Sequence, residues 1–125
     1  MGQKYLIDTN SLIDAQAMKL PQNGLAFLAD AINENFTVSF ITYIEFLGYK
    51  DVTQANKDFI ELATVFEINK EIIDTCIELR KTHRIKLPDA IIASTALVYN
   101  LSIITNNEKD FENIKGLKFV NPYKV

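Results

Sequence analysis

Short apolar runs alternate with amphipathic segments along the whole sequence. Tyr5-Leu6-Ile7 predicts a first buried strand, and the turn-forming and capping residues after it predict the start of a helix. Further strands are predicted at 36–41, 65–68, 102–105 and 117–120, with helical segments between them. Strands that alternate with helices form parallel sheets covered on both faces. The pattern therefore predicts an α/β fold, with a central twisted parallel sheet of four to five strands flanked by helices on both faces.

The helical segments are defined by apolar spacing and by capping residues. They are predicted at 23–35, at 42–49, at 53–63, from Asn69 into a basic stretch that ends at Lys86, from Pro88 to Tyr99, and briefly around Asp110. Cys76 and His83 lie on the apolar stripe of the long helix that Asn69 caps. We interpret both as structural residues, and a single cysteine cannot form an intrachain disulfide.

Length and charge limit the class of protein. A chain of 125 residues predicts one domain, 1–125, and a net charge of −3 argues against binding nucleic acid mainly through a bulk positive field. Asp8 and Asp14 interrupt what would be the apolar region of a signal peptide, and no apolar stretch reaches the roughly 20 residues of a bilayer span. We therefore expect a cytoplasmic location and no membrane association.

Four acidic residues lie where apolar runs give way to a helix start or a turn: Asp8, Glu45, Asp89 and Asp110. Three of them follow a predicted strand directly or closely, and Asp89 begins the helix before the fourth strand. Functional groups of parallel sheets collect at the carboxyl ends of the strands. We therefore expect these four carboxylates to meet at one edge of the sheet.

Each acid taken alone also has a structural interpretation. Asp8 can cap a helix, Glu45 follows Thr42 by three residues as in a capping box, and Asp89 suits a first helical turn. Two observations weaken that interpretation. Asp89 shares a predicted helix face with apolar residues, and Glu45 lies among large apolar residues, so we expect it to point into a crevice.

Carboxylates that lie close together repel one another in a region of reduced dielectric. A shared proton or a cation relieves that repulsion. Oxygen ligands favour magnesium or manganese over zinc, and bound magnesium keeps water positions where a phosphate oxygen can bind. The four acids therefore predict a hard divalent cation.

Four segments together resemble the PIN-domain ribonucleases, and more narrowly the VapC-type toxins of toxin–antitoxin pairs. These segments are LIDTN, ITYIEFLG, LPDAIIASTA and IITNNEKDF, in that order from residue 6 to residue 111. Each motif alone is weak, whereas their order and spacing together are specific. The resemblance implies a PIN-like fold and an endoribonuclease that needs magnesium or manganese, in which water activated by the ion cleaves RNA.

The resemblance also implies roles for single residues. Asp8, Glu45 and Asp89 match the three core metal-binding acids of the family. Many relatives have a fourth acid where this chain has Asn107, so we assign that role to Asp110, with Glu108 and Asn107 as the other candidates. The polar residues that match supporting positions of the family site are Thr9, Asn10, Thr105 and Asn107.

The expected partners follow from the same resemblance. They are an RNA substrate, for which transfer RNA is one candidate, a cognate antitoxin protein whose segment crosses the acidic cleft, and a second copy of the chain in a homodimer. The densest basic segment, just before Asp89, is a candidate for gripping RNA and consists of Arg80, Lys81, Arg84 and Lys86. A solvated helix end explains these four residues equally well.

Two other functions remain open at this point. A receiver-like phosphoacceptor domain has the same length and binds magnesium, but it needs paired acids after its first strand, where this chain has Asp8-Thr9-Asn10. A catalytically silent binding module with the PIN fold would keep the architecture and lack activity. Cleavage of RNA and stabilisation by magnesium distinguish these alternatives.

Overall fold

The computed structural model describes residues 3–125. Its strands are β1 (Tyr5–Ile7), β2 (Thr37–Ser39), β3 (Thr64–Phe66), β4 (Ser102–Ile104) and β5 (Lys118–Val120). Its helices are α1 (Thr9–Gln16), α2 (Gln22–Glu34), α3 (Phe40–Leu47), α4 (Gln54–Ile60), α5 (Lys70–Thr82), α6 (Leu87–Tyr99) and α7 (Glu108–Phe111). The alternation of strands and helices predicted from the sequence is confirmed.

All strand pairs in the described residues are parallel, but they form two hydrogen-bonded ladders. One ladder has the order β1-β4-β5 and the other pairs β2 with β3. The prediction of a single sheet of four to five strands is therefore corrected to sheets of three and two strands. The two ladders meet where β1 packs beside β2. Each strand has three residues. A strand that short offers few peptide groups to each neighbour, so a small misalignment is enough to interrupt hydrogen bonding between β1 and β2.

Helices cover both faces of the strands, because neighbouring side chains of a strand point to opposite sides. Ile7 and Ile104 belong to a core with residues of α1 to α4, whereas Leu6 and Ile103 belong to a second core with α6 and the α7 region. Helices α5 and α6 pack against each other on the second side. The α/β fold class and its two helical layers are therefore confirmed.

The start of α3 differs from the sequence prediction. The apolar run 36–41 was predicted as strand throughout, but Ser39 Oγ accepts a hydrogen bond from Ile41 N at 3.2 Å and caps a helix that begins at Phe40. Thr42 therefore lies inside the helix, and the predicted capping box between Thr42 and Glu45 is wrong. Among residues 3–125, the Thr42 hydroxyl is the buried side-chain group without a hydrogen-bond partner.

Helix α5 is capped at its start, and the residue that follows it contacts the α7–β5 connection. Asn69 caps α5, as predicted, by accepting from Ile72 N at 3.0 Å. Helix α5 ends at Thr82, so the predicted continuation to Lys86, with His83 on the apolar stripe, is wrong. His83 has extended backbone, and its Nε2 contacts the carbonyl oxygen of Asn113 at 3.3 Å. Cys76 is buried, as predicted. No helix of the described residues is long and apolar enough to cross a bilayer.

Candidate active site

Asp8 lies at the carboxyl end of β1 and is the most enclosed of the four acids, with 4% of its surface exposed. Its Oδ1 accepts from Thr9 N at 2.8 Å, which caps α1, and its Oδ2 accepts from Thr105 Oγ1 at 2.8 Å and Asn10 Nδ2 at 3.1 Å. The pairing of Ile7 with Ile104 brings Asp8 and Thr105 together, because each is the next residue of its strand. The parallel register therefore positions this carboxylate.

Glu45 reaches the same place from the last turns of α3. Its Oε1 accepts from Thr9 Oγ1 at 2.6 Å. Glu45 is exposed, so the expectation that it is shielded from solvent is wrong, whereas the expected crevice is present. Its side chain nevertheless lines an open cavity of about 330 Å³, whose walls are formed by Asp8, Thr9, Asn10, Ile13, Glu45 and Asp89.

Asp89 lies in the first turn of α6, half-buried, and faces the other acids. Burial is the main cause that raises its pKa to about 7, and the neighbouring Asp110 carboxyl, through a hydrogen bond and its charge, adds to the shift. The charges of Asp8 and Glu45 raise the pKa further. Four carboxyls from distant parts of the sequence therefore interact at one place.

Asp8 is affected in the same direction. Burial raises its pKa above 3.8 and the charge of Glu45 adds to this, whereas hydrogen bonds from Thr105, Thr9 and Asn10 act to lower it. Because the net direction is upward, these donors compensate only in part for removal of the carboxylate from water.

The three candidates for the fourth position are placed differently. Asp110 lies beside Asp89 and accepts a hydrogen bond from Asn107 Nδ2. Glu108 instead accepts from Asn121 Nδ2 at 2.6 Å and pairs with Lys124 at 2.8 Å, and these contacts lower its pKa. Asp110 is therefore the candidate that the structure brings to the other acids.

A polar network supports the site from behind. Thr105 Oγ1 accepts from Asn107 N at 3.0 Å and from Asn10 Nδ2 at 3.2 Å. Asn10 Oδ1 in turn accepts from Asn106 N at 3.1 Å and from Ser11 Oγ at 3.2 Å. The sequence analysis predicted Thr9, Asn10, Thr105 and Asn107 as supporting residues, and it missed Ser11 and Asn106. Ser11 and Asn106 are adjacent in sequence to Asn10 and Thr105, and that adjacency is the signal by which they could have been found.

Comparison with known proteins identifies the family of this site. A family model described as PIN domain matches residues 5–117. The chain belongs to the PIN-domain family. A search of curated proteins finds no significant match.

Solved structures extend the comparison. The chain is similar to a toxin–antitoxin complex from Klebsiella pneumoniae, with 31% identity, a TM-score of 0.76, and coverage of 98% of this chain and 100% of that one. It is similar to VapBC-1 from nontypeable Haemophilus influenzae, with 27% identity, a TM-score of 0.77 and coverage of 98% and 100%. FitAcB from Neisseria gonorrhoeae shares the fold, with 24% identity, a TM-score of 0.76 and coverage of 97% and 99%. The resemblance to VapC-type PIN toxins is confirmed.

The predicted basic segment lies apart from the carboxylates of this PIN domain. Arg80, Lys81, Arg84 and Lys86 are all exposed, and none of them lines the acidic cavity. Arg80 Nη1 donates to the carbonyl oxygen of Ile85 at 3.3 Å, and Lys81 lies 4.0 Å from Glu78. Within residues 3–125, no ion pair joins a lysine or arginine to any of the four acids.

The donor set of the PIN site fits a hard divalent cation. It consists of carboxylate oxygens without a compensating lysine or arginine in the part of the chain that the structure describes. In that part, no three or more histidine, cysteine or acidic side chains are arranged so that they could hold a metal ion together. Magnesium is typically held by one or two carboxylates together with several waters, so an open arrangement suits it better than it suits zinc.

The raised pKa of Asp89 predicts how metal-free protein responds to pH. The pKa of Asp89 is about 7 in the folded protein and 3.8 in the unfolded chain, so the folded state binds the proton more tightly. The contribution of Asp89 to the free energy of unfolding is therefore favourable at low pH and is lost as the pH rises through 7. In EDTA at pH 8, Asp89→Asn should raise the melting temperature by about 5 °C, and the gain should shrink toward pH 5.

Thermal denaturation between pH 5 and pH 8 measures this effect. Asp30→Asn, at an exposed position of α2, is the matched control and should follow the wild type. A melting temperature of Asp89→Asn that parallels the wild type at every pH would contradict the repulsion among these carboxyls.

Proposed function

We propose that this PIN domain is a magnesium- or manganese-dependent endoribonuclease that acts as the toxin of a toxin–antitoxin pair. The observation that carries the proposal is the meeting of Asp8, Glu45 and Asp89 around one open cavity, with Asp110 beside Asp89. The raised pKa values of Asp8 and Asp89 mean that their ionised forms cost stability, and such groups are characteristic of functional sites. Membership of the PIN family supports the same function and removes the receiver-like alternative.

Asp8 and Asp89 hold the principal ion in this proposal, and Glu45 and Asp110 hold waters or a second ion. A divalent cation bound there would make a water more acidic and neutralise charge on the phosphate oxygens. The positions of the carboxylates would determine where the ion binds, and neighbouring polar side chains fix those positions. Thr105 and Asn10 fix the orientation of Asp8, and the Thr9 hydroxyl fixes that of Glu45.

The reaction is hydrolysis of a phosphodiester. The hydroxyl of a water adds to phosphorus, the bond from phosphorus to the 3′ oxygen breaks, and the remaining proton of the water ends on that oxygen. The products carry 5′-phosphate and 3′-hydroxyl ends. Among candidate RNA contacts, Arg84 and Lys86 are exposed just before α6, the helix that carries Asp89, and in this proposal they bind phosphates outside the acidic cavity.

We propose that the antitoxin occupies a cavity that continues from the acidic one. This second cavity has a volume of about 180 Å³ and shares Ile13 with the acidic cavity. Its other walls are formed by Gln16, Ala17, Phe46, Tyr49, Asp51, Val52 and Asn56. An extended protein segment could cover both cavities, with an apolar side chain in this second cavity and a basic side chain among the carboxylates of the acidic cavity. Solved relatives include toxin–antitoxin complexes, which supports this occupant.

We propose a homodimer through an apolar groove between α5 and α6. The groove measures about 610 Å³ and is lined by Ile68, Ile73, Cys76, Ile77, Arg80, Lys81, Leu87 and Ile91. Ile77 and Leu87 are 47% and 52% exposed, which is unfavourable for apolar side chains in water. The first half of α5 has two acidic residues, Glu71 and Asp74, and one basic residue, Lys70, which pairs with Asp74, whereas the last turn is basic. Antiparallel pairing of two α5 helices about a two-fold axis therefore matches opposite charges.

Removal of one carboxylate charge tests the enzymatic proposal. Asp8→Asn should reduce cleavage of RNA by at least about 100-fold, more than is usual for a residue that only supports a metal ligand. It should also abolish the rise in melting temperature that magnesium gives the wild type, because the amide lacks the charge that the ion requires. Mapping of RNA ends and thermal denaturation measure the two effects.

Asp110→Asn tests the fourth position in the same assays, with Glu108→Gln as its matched control. The proposal expects a loss of cleavage for the first variant and a much smaller change for the second. Purified wild type that cuts no RNA with either ion would instead indicate a silent binding module.

The antitoxin cavity is tested at its exposed rim. Ala17→Arg fills the mouth of the cavity with a bulky charge, and we expect it to abolish neutralisation by the cognate antitoxin. Cleavage of RNA without that protein should stay at the wild-type level, because Ala17 lies outside the acidic cavity. Leu62→Arg is the control, because Leu62 is exposed and lines neither of the two cavities. Full neutralisation of Ala17→Arg would place the antitoxin elsewhere.

The dimer groove is tested by a charge at its centre. Ile77→Lys should convert a dimer into a monomer, because a buried ammonium without a partner is costly at an apolar interface. Light scattering at several protein concentrations measures the mass. Leu62→Lys, at an exposed position outside the groove, should leave the mass unchanged. A wild type that is monomeric, or an Ile77→Lys variant that stays dimeric, contradicts this interface.

A further inference from the structure

The residues after β5 form a turn that is packed closely onto the fold. Lys124 N donates to the carbonyl oxygen of Asn121 at 2.9 Å, and Pro122 inside the turn is buried. A Cβ at Gly24 of α2 would lie 1.9 Å from the carbonyl oxygen of Pro122. Only glycine allows this approach, so the turn 121–124 packs directly against the backbone of α2. We call it the C-terminal turn.

Tyr123 of the C-terminal turn connects it to α1 and to the loop behind the acids. Its hydroxyl donates to Asp14 Oδ2 at 2.8 Å, and Asn106 Nδ2 donates to the same oxygen at 2.9 Å. Asn106 follows Thr105, whose hydroxyl donates to Asp8. Asp14 therefore joins three segments of the chain through one carboxylate oxygen and lies one contact behind the site.

Asn121 and Lys124 connect the same turn to α7. Both bind Glu108 Oε2, at 2.6 Å and 2.8 Å. Helix α7 has four residues, and a helix that short has little stability of its own, so its orientation comes from contacts with other elements. Asp110 belongs to this helix. Asn107 is the N-cap residue of the helix, and its side chain donates to Asp110.

We propose that Asp14, Tyr123, Asn121 and Lys124 are positioning residues that hold the β4–α7 loop and α7 so that Asp110 and Thr105 keep their places in the metal site. The inference rests on the proposed metal-dependent activity and assigns no metal contact to Asp14. None of these four residues lines the acidic cavity. In this inference Asp14 acts by accepting two hydrogen bonds, and its negative charge does not contribute to metal binding.

That distinction defines the test. Both donors meet one oxygen of Asp14, so the amide oxygen of Asp14→Asn can accept both bonds, whereas Asp14→Ala can accept neither. We expect Asp14→Ala to weaken Mn²⁺ binding by about 10-fold to 100-fold, as is typical when partners of metal ligands are removed. Asp14→Asn should bind the ion close to the wild-type level. Calorimetric titration of the full chain with Mn²⁺ measures binding without any RNA.

A milder set of variants keeps the test valid if Asp14→Ala does not fold. Tyr123→Phe removes one hydrogen bond and keeps the ring, and we expect a smaller loss in the same direction. The double variant Asn121→Ala with Lys124→Ala frees Glu108 and should likewise weaken Mn²⁺ binding. Lys115→Ala, at an exposed position of the α7–β5 connection, removes one positive charge and should leave binding unchanged.

Three results would overturn the inference, and each has a different meaning. An equal loss in Asp14→Asn and Asp14→Ala would make Asp14 a charged ligand. Wild-type binding in every variant, with lower melting temperatures alone, would reduce the contacts to fold stability. A wild type that binds no Mn²⁺ would remove the proposed function itself, and this inference with it.

Discussion

The buried Asp8 carboxylate is the interaction on which the rest of the site depends. It ends the central strand β1, caps α1 through Thr9 N, and receives the Thr105 hydroxyl from β4. The same group therefore terminates a strand, begins a helix and fixes the relation between two strands. Any displacement of β4 relative to β1 would break the contact with Thr105, so the orientation of the carboxylate is as rigid as the sheet.

This rigidity brings an electrostatic cost that the fold accepts. Asp89 and Asp8 both have raised pKa values, because burial and neighbouring carboxyls disfavour their charged forms. Neutral residues at these places would make a more stable metal-free protein. Hydrogen bonds from Asn10 and Thr105 orient Asp8, and one from Thr9 orients Glu45, without neutralising either acid. In the proposed function, a divalent cation supplies the positive charge that no lysine or arginine of the described residues supplies to these acids.

Local sequence patterns predicted the parts of the site that depend on local rules. Asp8 was found because a short apolar run ends in capping residues, and Asp89 because it shares a helix face with apolar residues. Both signals involve neighbours within one helical turn. The exposure of Glu45 was missed for the opposite reason. The apolar residues on either side of it in sequence point to other faces of α3, and Phe46 enters the core while Ile44 is 60% exposed.

The contacts behind the site had no local signal. Tyr123 lies 109 positions from Asp14, and Asn106 lies 92 positions from it. Spacing within a helix or strand carries no information about such pairs, because they form only when β5 is paired with β4 and the following turn packs on Gly24. Yet the partners were visible as polar residues without a local role. An acid within a helix, such as Asp14 in α1, that neither caps its helix nor faces an i+4 lysine must find its hydrogen bonds elsewhere in the fold, and here it finds them beside the site.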